Sequence, residues 1–225
     1  RNHLTGADFD RVKCDPKKVC QVGYITQERS NTREMHYTFN HHTHQEFLAA
    51  KHLHLMHQPQ RQDHLQKMLQ PPYDPTVLSF LAGLLKEDAG ALKDMMVLAL
   101  QRPESERWQL LPLLIAEMSH IPLEVEEVLV ANCPPSFWCG ASDSFSYCKG
   151  LAGICNLPKH KPKSIHLEFH FWSEINEGEK YLMQQLVHCE AIGKVELRFY
   201  GDSLDDIMQQ SLRYLQAGQK HSHVQ

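Results

Sequence analysis

Histidine and cysteine are the residues of this chain whose types and spacing could do chemistry. Of 16 His, seven crowd one stretch: His41, His42, His44, His52, His54, His57 and His64. Imidazole binds metals, donates to phosphate oxygens and titrates near neutral pH. On a helix, ligands three or four positions apart share a face, a condition that His54 and His57 meet. A catalytic zinc site would also need a third ligand and a Glu in a phrase such as H-E-x-x-H, which is absent. Solvated histidines, and no metal, are therefore the expectation. The seven cysteines (Cys14, Cys20, Cys133, Cys139, Cys148, Cys155, Cys189) form no C-x-x-C pair. The five-residue gap between Cys133 and Cys139 fits no common zinc knuckle, and the odd count leaves at least one thiol unpaired. Cys133, Cys139, Cys148 and Cys155 are expected to act as small buried hydrophobes, reduced in a cytoplasmic setting. No G-x-S-x-G elbow or recognisable Cys–His pair supports nucleophilic catalysis, so no enzyme is expected.

The elements that would position these residues can be read from pattern. Leu4, Phe9 and Val12 can face one way on a short helix from about Ala7. Gln21–Thr26 and Glu34–Phe39 read as strands across a polar turn. Helix, strand, turn, strand is what a winged helix supplies. A helix from Thr43 to about His57 has Thr43 and Glu46 spaced for a capping box. Pro59 and the pair Pro71-Pro72 punctuate the stretch after it. Asp74-Pro75 then opens the clearest helix, with Val77, Leu78, Leu81, Leu84 and Leu85 as one stripe. Further helices are expected over about 91–101, 105–120 (with Pro112 inside) and 122–130, and a Cys- and Ser-rich loop over 132–150. Beyond it, 164–171 and 194–200 alternate as strands. His166-Leu167-Glu168-Phe169 and Glu196-Leu197-Arg198-Phe199 lie 30 positions apart, each before a helical pattern. A strand–helix unit at that spacing is the pattern of a long leucine-rich repeat, though an ordinary βαβα unit reads alike. On strands of such an array, His166, Glu168, His170, Glu196 and Arg198 would face the concave side.

The fold class expected is thus mainly α with an α/β C-terminal part. Its divisions are a winged-helix region (1–58), a helical domain (59–131), a linker (132–150) and leucine-rich-repeat-like units (151–225). Bulk properties narrow the function. The formal charge of −4 and a pI near 6.5 argue against nucleic acid as a partner. The longest apolar runs, near Met95–Leu100 and Leu110–Ala116, are far shorter than the ~20 residues of a spanning helix. No basic start leads into an apolar segment of the secretory type. The opening Arg1-Asn2-His3 suggests a piece of a longer product.

Tyr37-Thr38-Phe39-Asn40-His41-His42-Thr43-His44-Gln45-Glu46-Phe47-Leu48-Ala49-Ala50 resembles the winged-helix signature of NACHT–leucine-rich-repeat (NOD-like) receptors. The Phe, His, Thr, Gln-Glu-Phe and Ala-Ala positions fall in register, with Asn40 and His44 in place of an apolar residue and Phe. Leu4–Thr26 looks like that family's lead-in, and Val77–Leu85 is similar to a phrase of its second helical domain. The resemblance covers roughly residues 1–130, and the repeats about 151–217. It implies a regulatory fragment of a cytosolic innate-immune receptor, with self-oligomerisation and signalling adaptors as partners. It also implies that His41 contacts the ADP phosphate in the intact receptor, where ADP or ATP with Mg²⁺ is the cofactor. The P-loop G-x-x-x-x-G-K-[ST] is absent from this chain, so no cofactor is expected on the fragment itself. The alternative is a helical adaptor that binds protein partners and no nucleotide.

Overall fold

The computed structural model describes residues 4–29, 35–70, 74–134, 136–140, 144–157, 165–171, 175–186, 189, 192–199, 209–210 and 212–213. Strand β1 (Leu4–Thr5) leads into α1 (Gly6–Arg11), whose start is closed by reciprocal bonds between Thr5 and Asp8. Helix α2 (Pro16–Gln21) comes next, capped by Asp15. Strands β2 (Ile25–Arg29) and β3 (Met35–Phe39) then pair antiparallel, with β1 on the other side of β3, in the order β1-β3-β2. The strand expected over 21–26 therefore starts later, because Gln21 still belongs to α2 and Gly23 turns the chain at φ +82°. Phe9, Ile25 and Tyr37 form a small core between this sheet and its helices, with Phe9 edge-on to Tyr37. Val12 does not join it, being 64% exposed.

Six helices come next: α3 (His42–Leu55), α4 (Gln58–Met68), α5 (Pro75–Leu84), α6 (Ala89–Leu100), α7 (Glu104–Ala116) and α8 (Leu123–Asn132). The stripe on α5 is buried as the pattern predicts, with Leu78 and Leu81 fully enclosed. Each such leucine contributes about 1.5–3 kcal/mol relative to an exposed one. Asp74 accepts from the backbone N–H of Thr76 and Val77, and Asp88 does the same for Ala91. Asp74→Ala is expected to cost about 1 kcal/mol in urea unfolding, as loss of an N-cap does. Helix α3 differs from expectation. Its N-cap is His41, not Thr43, and no side chain caps it.

Helix α4 occupies the stretch whose sequence shows only proline punctuation. Pro59 lies in its first turn, where the absent N–H costs nothing. Its buried face is narrow, with Arg61, Leu65 and Leu69 four positions apart. Polar clamps hold it in place. The Gln58 and Gln62 amides both donate to Asp94 on α6, and Arg61 reaches Asp88 at 3.7 Å and the His54 carbonyl at 3.4 Å.

The segment 132–150 is not a loop. It contains β4 (Ser136–Gly140) and the first half of α9 (Phe145–Cys155), so a boundary at 150/151 would cut a helix. Strands β5 (Ile165–Phe171) and β6 (Ile192–Phe199) lie further on, separated by α10 (Glu177–Leu186). All three are parallel, in the order β4-β5-β6. Phe137 aligns with Leu167, and Leu167 with Val195, so the register steps by 30 and then 28 residues. Helix α9 packs between α7 and α10. Asn176 and Glu179 close the start of α10 reciprocally, each side chain bonding the other's backbone N–H.

One apolar core runs from Ala50 on α3 to Cys189 before β6. Helix α3 therefore shares its core with the helical domain through Ala50 and Leu53 and with no other cluster, although β3 leads straight into it. The divisions at 58/59 and 131/132 fall one residue inside α4 and α8 respectively, and residues on both sides of each share one core. The architecture is mainly helical, with one antiparallel and one parallel three-stranded sheet among the described residues. The helix expected after Leu204 lies largely outside them, as do the side chains of His166, Glu168, His170, Glu196 and Arg198.

Candidate functional site

His41 ends the connection from β3 and stands at the N-terminus of α3, exposed, with extended backbone (φ −138°, ψ 134°). The turn at Gly23–Tyr24 anchors this connection. The Asn40 side chain donates to the Gly23 carbonyl at 2.7 Å, and its N–H to the Tyr24 carbonyl at 3.0 Å. His44 stands edge-on to both Tyr24 (5.3 Å) and His41 (5.4 Å). Its Nδ1 is buried and has no hydrogen-bond partner. Asn40 thus clamps the turn, and His44 packs its ring between Tyr24 and His41. The result is an exposed imidazole at the positive end of a 14-residue helix that no side chain caps. Such an end favours anions, because its first N–H groups point outward and the helix dipole adds partial positive charge.

The other histidines do not converge. His42, His52, His57 and His64 are exposed, and His54 is half-buried. Among the described residues no group of three or more His, Cys, Asp or Glu is placed to hold a metal ion. The cysteines are arranged differently from their order in sequence. Cys155 and Cys189, 34 positions apart, touch, and Cys133 lies close enough to act on Cys155 electrostatically. Cys148 is buried, with Gly178 packed against it. The Cys139 side chain lies outside the described residues. No spacing rule shows the Cys155–Cys189 contact, since it depends on where the end of α9 meets the segment before β6.

Burial pushes the Cys133 thiol up to about 12 from its ordinary 9.0. A thiol raised on folding stabilises the native state below the unfolded pKa, and that contribution is lost above it. Stability is therefore expected to fall as pH rises from about 9 toward 12. Cys133→Ala should flatten this decline in a pH series of melting temperatures. Equal slopes for both proteins would contradict the assignment.

A cavity of about 510 Å³ opens where α7 ends, between α8, α9 and α10. Met118, His120, Glu126, Lys149, Tyr181 and Gln185 contribute to its wall. Lys149 reaches the Ala116 carbonyl at 2.6 Å, which neutralises one of the free carbonyls at the C-terminus of α7. The lysine therefore has a structural role at this junction. No helix among the described residues is long and apolar enough to cross a membrane. No family model matches the chain, and no curated protein is significantly similar to it.

Proposed function

We propose that the chain is a regulatory segment of a cytosolic NACHT–leucine-rich-repeat receptor, a non-catalytic switch that works through self-assembly and signalling adaptors. The observation that carries this reading is the sequential parallel order β4-β5-β6, with one helix per strand and register steps of 30 and 28 residues. Helices α7, α9 and α10 stack as neighbours, which is how repeat units bury faces that no single unit could bury alone. The sheet order β1-β3-β2, with two helices between β1 and β2, supports a winged-helix reading of the first 40 residues. The motif Tyr37–Ala50 spans the end of that sheet and the helix leaving it.

In this reading His41 meets a nucleotide phosphate held by a domain beyond this chain. Its exposure and its place at an end of α3 that no side chain caps fit one phosphate contact. The chain has no P-loop of its own, so it would supply this contact and neither a phosphate cradle nor a Mg²⁺ site. A nucleotide bridging two domains holds one arrangement until it is exchanged, which gives the switch two states.

The test is His41→Ala in the full-length product. Nucleotide released on denaturation is quantified by chromatography, and basal signalling is measured in cells. Loss of retained ADP by roughly tenfold, with raised basal activity, is expected; tenfold is about 1.4 kcal/mol, the scale of one charge-assisted bond. A full-length protein that carries no nucleotide in either form would leave the adaptor reading, in which the helical block and repeats bind proteins alone.

A further inference from the structure

Cys155 ends α9, and Cys189 lies in the segment entering β6, so their contact ties the first strand–helix unit to the third strand. The Cys189 thiol donates to the Cys155 carbonyl, which brings the two thiols within interaction range of each other. That carbonyl belongs to the last turn of α9, where no intrahelical donor remains. Both residues are buried, Cys155 at 1% and Cys189 at 7% exposure, and neither is in a disulfide. Two thiols held in contact by packing have a high effective concentration for each other.

We propose that Cys155 and Cys189 form a reversible disulfide by exchange with a small disulfide oxidant such as glutathione disulfide. Cys189 is the more exposed of the two and reacts first. Its thiolate attacks one sulfur of glutathione disulfide, breaking that S–S bond. A mixed disulfide forms and one glutathione thiolate leaves. The Cys155 thiolate then attacks the Cys189 sulfur, forming the internal S–S bond and releasing the second glutathione thiolate. Two protons go to solvent, and two electrons pass from the protein thiols to the oxidant. The Cys189 side chain, then burial and the charge of the neighbouring sulfurs, keep the Cys155 thiol protonated well above the usual range. Reaction is therefore slow in the closed fold and proceeds through local opening at the β6 end of the array. Once made, the bond closes a loop of 34 residues and constrains the unfolded chain.

The experiment uses the wild-type chain equilibrated in glutathione buffers of graded redox potential. Free thiols are then alkylated and non-reduced tryptic peptides are mapped by mass spectrometry. The expected result is a cross-link between the peptides containing Cys155 and Cys189, abolished by dithiothreitol. A rise in melting temperature of roughly 5–10 °C on oxidation should accompany it. Cys133→Ser should retain the link. The proposal is overturned if both cysteines remain alkylatable at the most oxidising potential. It is equally overturned if Cys133 or Cys148 pairs with either of them as readily. Mapping of the wild-type chain decides the matter even if a variant fails to fold.

Discussion

Replacing Gly150 by Ala is expected to destabilise the chain by roughly 3 kcal/mol, at the upper end of what overpacking costs. Gly150 lies on α9 where that helix crosses α7, and a Cβ there would fall inside the Pro112 carbonyl group. It would also come within 2.9 Å of the Pro112 Cα. The obstacle is backbone on both sides, so no side chain can rotate away and the helices must separate. Three residues on, a Cβ at Gly153 would stand 3.2 Å from Ile115, so the seam is tight along its length. Alanine's higher helix propensity acts in the opposite direction but is worth only about 1 kcal/mol. Overpacking therefore wins. Gly83→Ala on α5 provides the control, since its Cβ would meet only Glu117 at 3.6 Å, ordinary contact. That variant should be stabilised by about 0.5–1 kcal/mol. Urea midpoints moving in opposite directions would bear out the seam. Similar midpoints for the two variants would argue that α7 and α9 are less closely packed.

Trp108→Ala should cost roughly 4 kcal/mol, within the range for truncating a large buried aromatic. Trp108 on α7 is 8% exposed and stands edge-on to Phe137 on β4, with centroids 5.2 Å apart. It joins α7 to a side chain of the first strand of the parallel sheet. Its indole N–H is buried and has no hydrogen-bond partner. Trp108→Phe keeps a ring against Phe137 and removes an unsatisfied donor, whose burial costs about 1–3 kcal/mol. The loss should then be about 1 kcal/mol or less. If Phe were as damaging as Ala, the indole N–H would have to be bonded.

The ease of reading each element from sequence depends on where its signal lies. Helices α5 to α8 are legible because their apolar stripes are wide and because Asp74 and Asp88 mark two of the starts. Strands β5 and β6 are legible from alternation and spacing. Their predecessor β4 is not, because Ser136-Phe137-Trp138-Cys139 sits among Cys, Pro and Ser that suggest a loop. Counting 30 positions back from His166-Leu167-Glu168-Phe169 would find it. Ser144, which caps α9 by accepting from the Tyr147 N–H, is the other signal that pattern reading passes over. Gly150 and Gly153 look like helix breakers in sequence, whereas their small size is what the α7–α9 crossing needs. Helix α4 is hidden because most of its surface is polar and only every fourth residue is buried. His41 stands at the junction of strand and helix beside His44, but Tyr24, whose ring packs on His44, comes from a distant turn that the local sequence does not show.

The two apolar cores are very unequal, and this has an optical consequence. Phe9, Ile25 and Tyr37 hold the antiparallel sheet, whereas the other cluster extends from Ala50 to Cys189. All three tryptophans, at positions 108, 138 and 172, lie beyond residue 100, and the aromatic residues of the antiparallel sheet are Tyr37 and Phe39. A unit with so few buried side chains can open at a fraction of the global free energy. Fluorescence excited at the indole band would report on the large core through Trp108 and, with no tryptophan in the antiparallel sheet, be blind to that opening. Amide exchange at Ile25–Arg29 and Met35–Phe39 would reveal it, with protection lost well before the tryptophan signal changes.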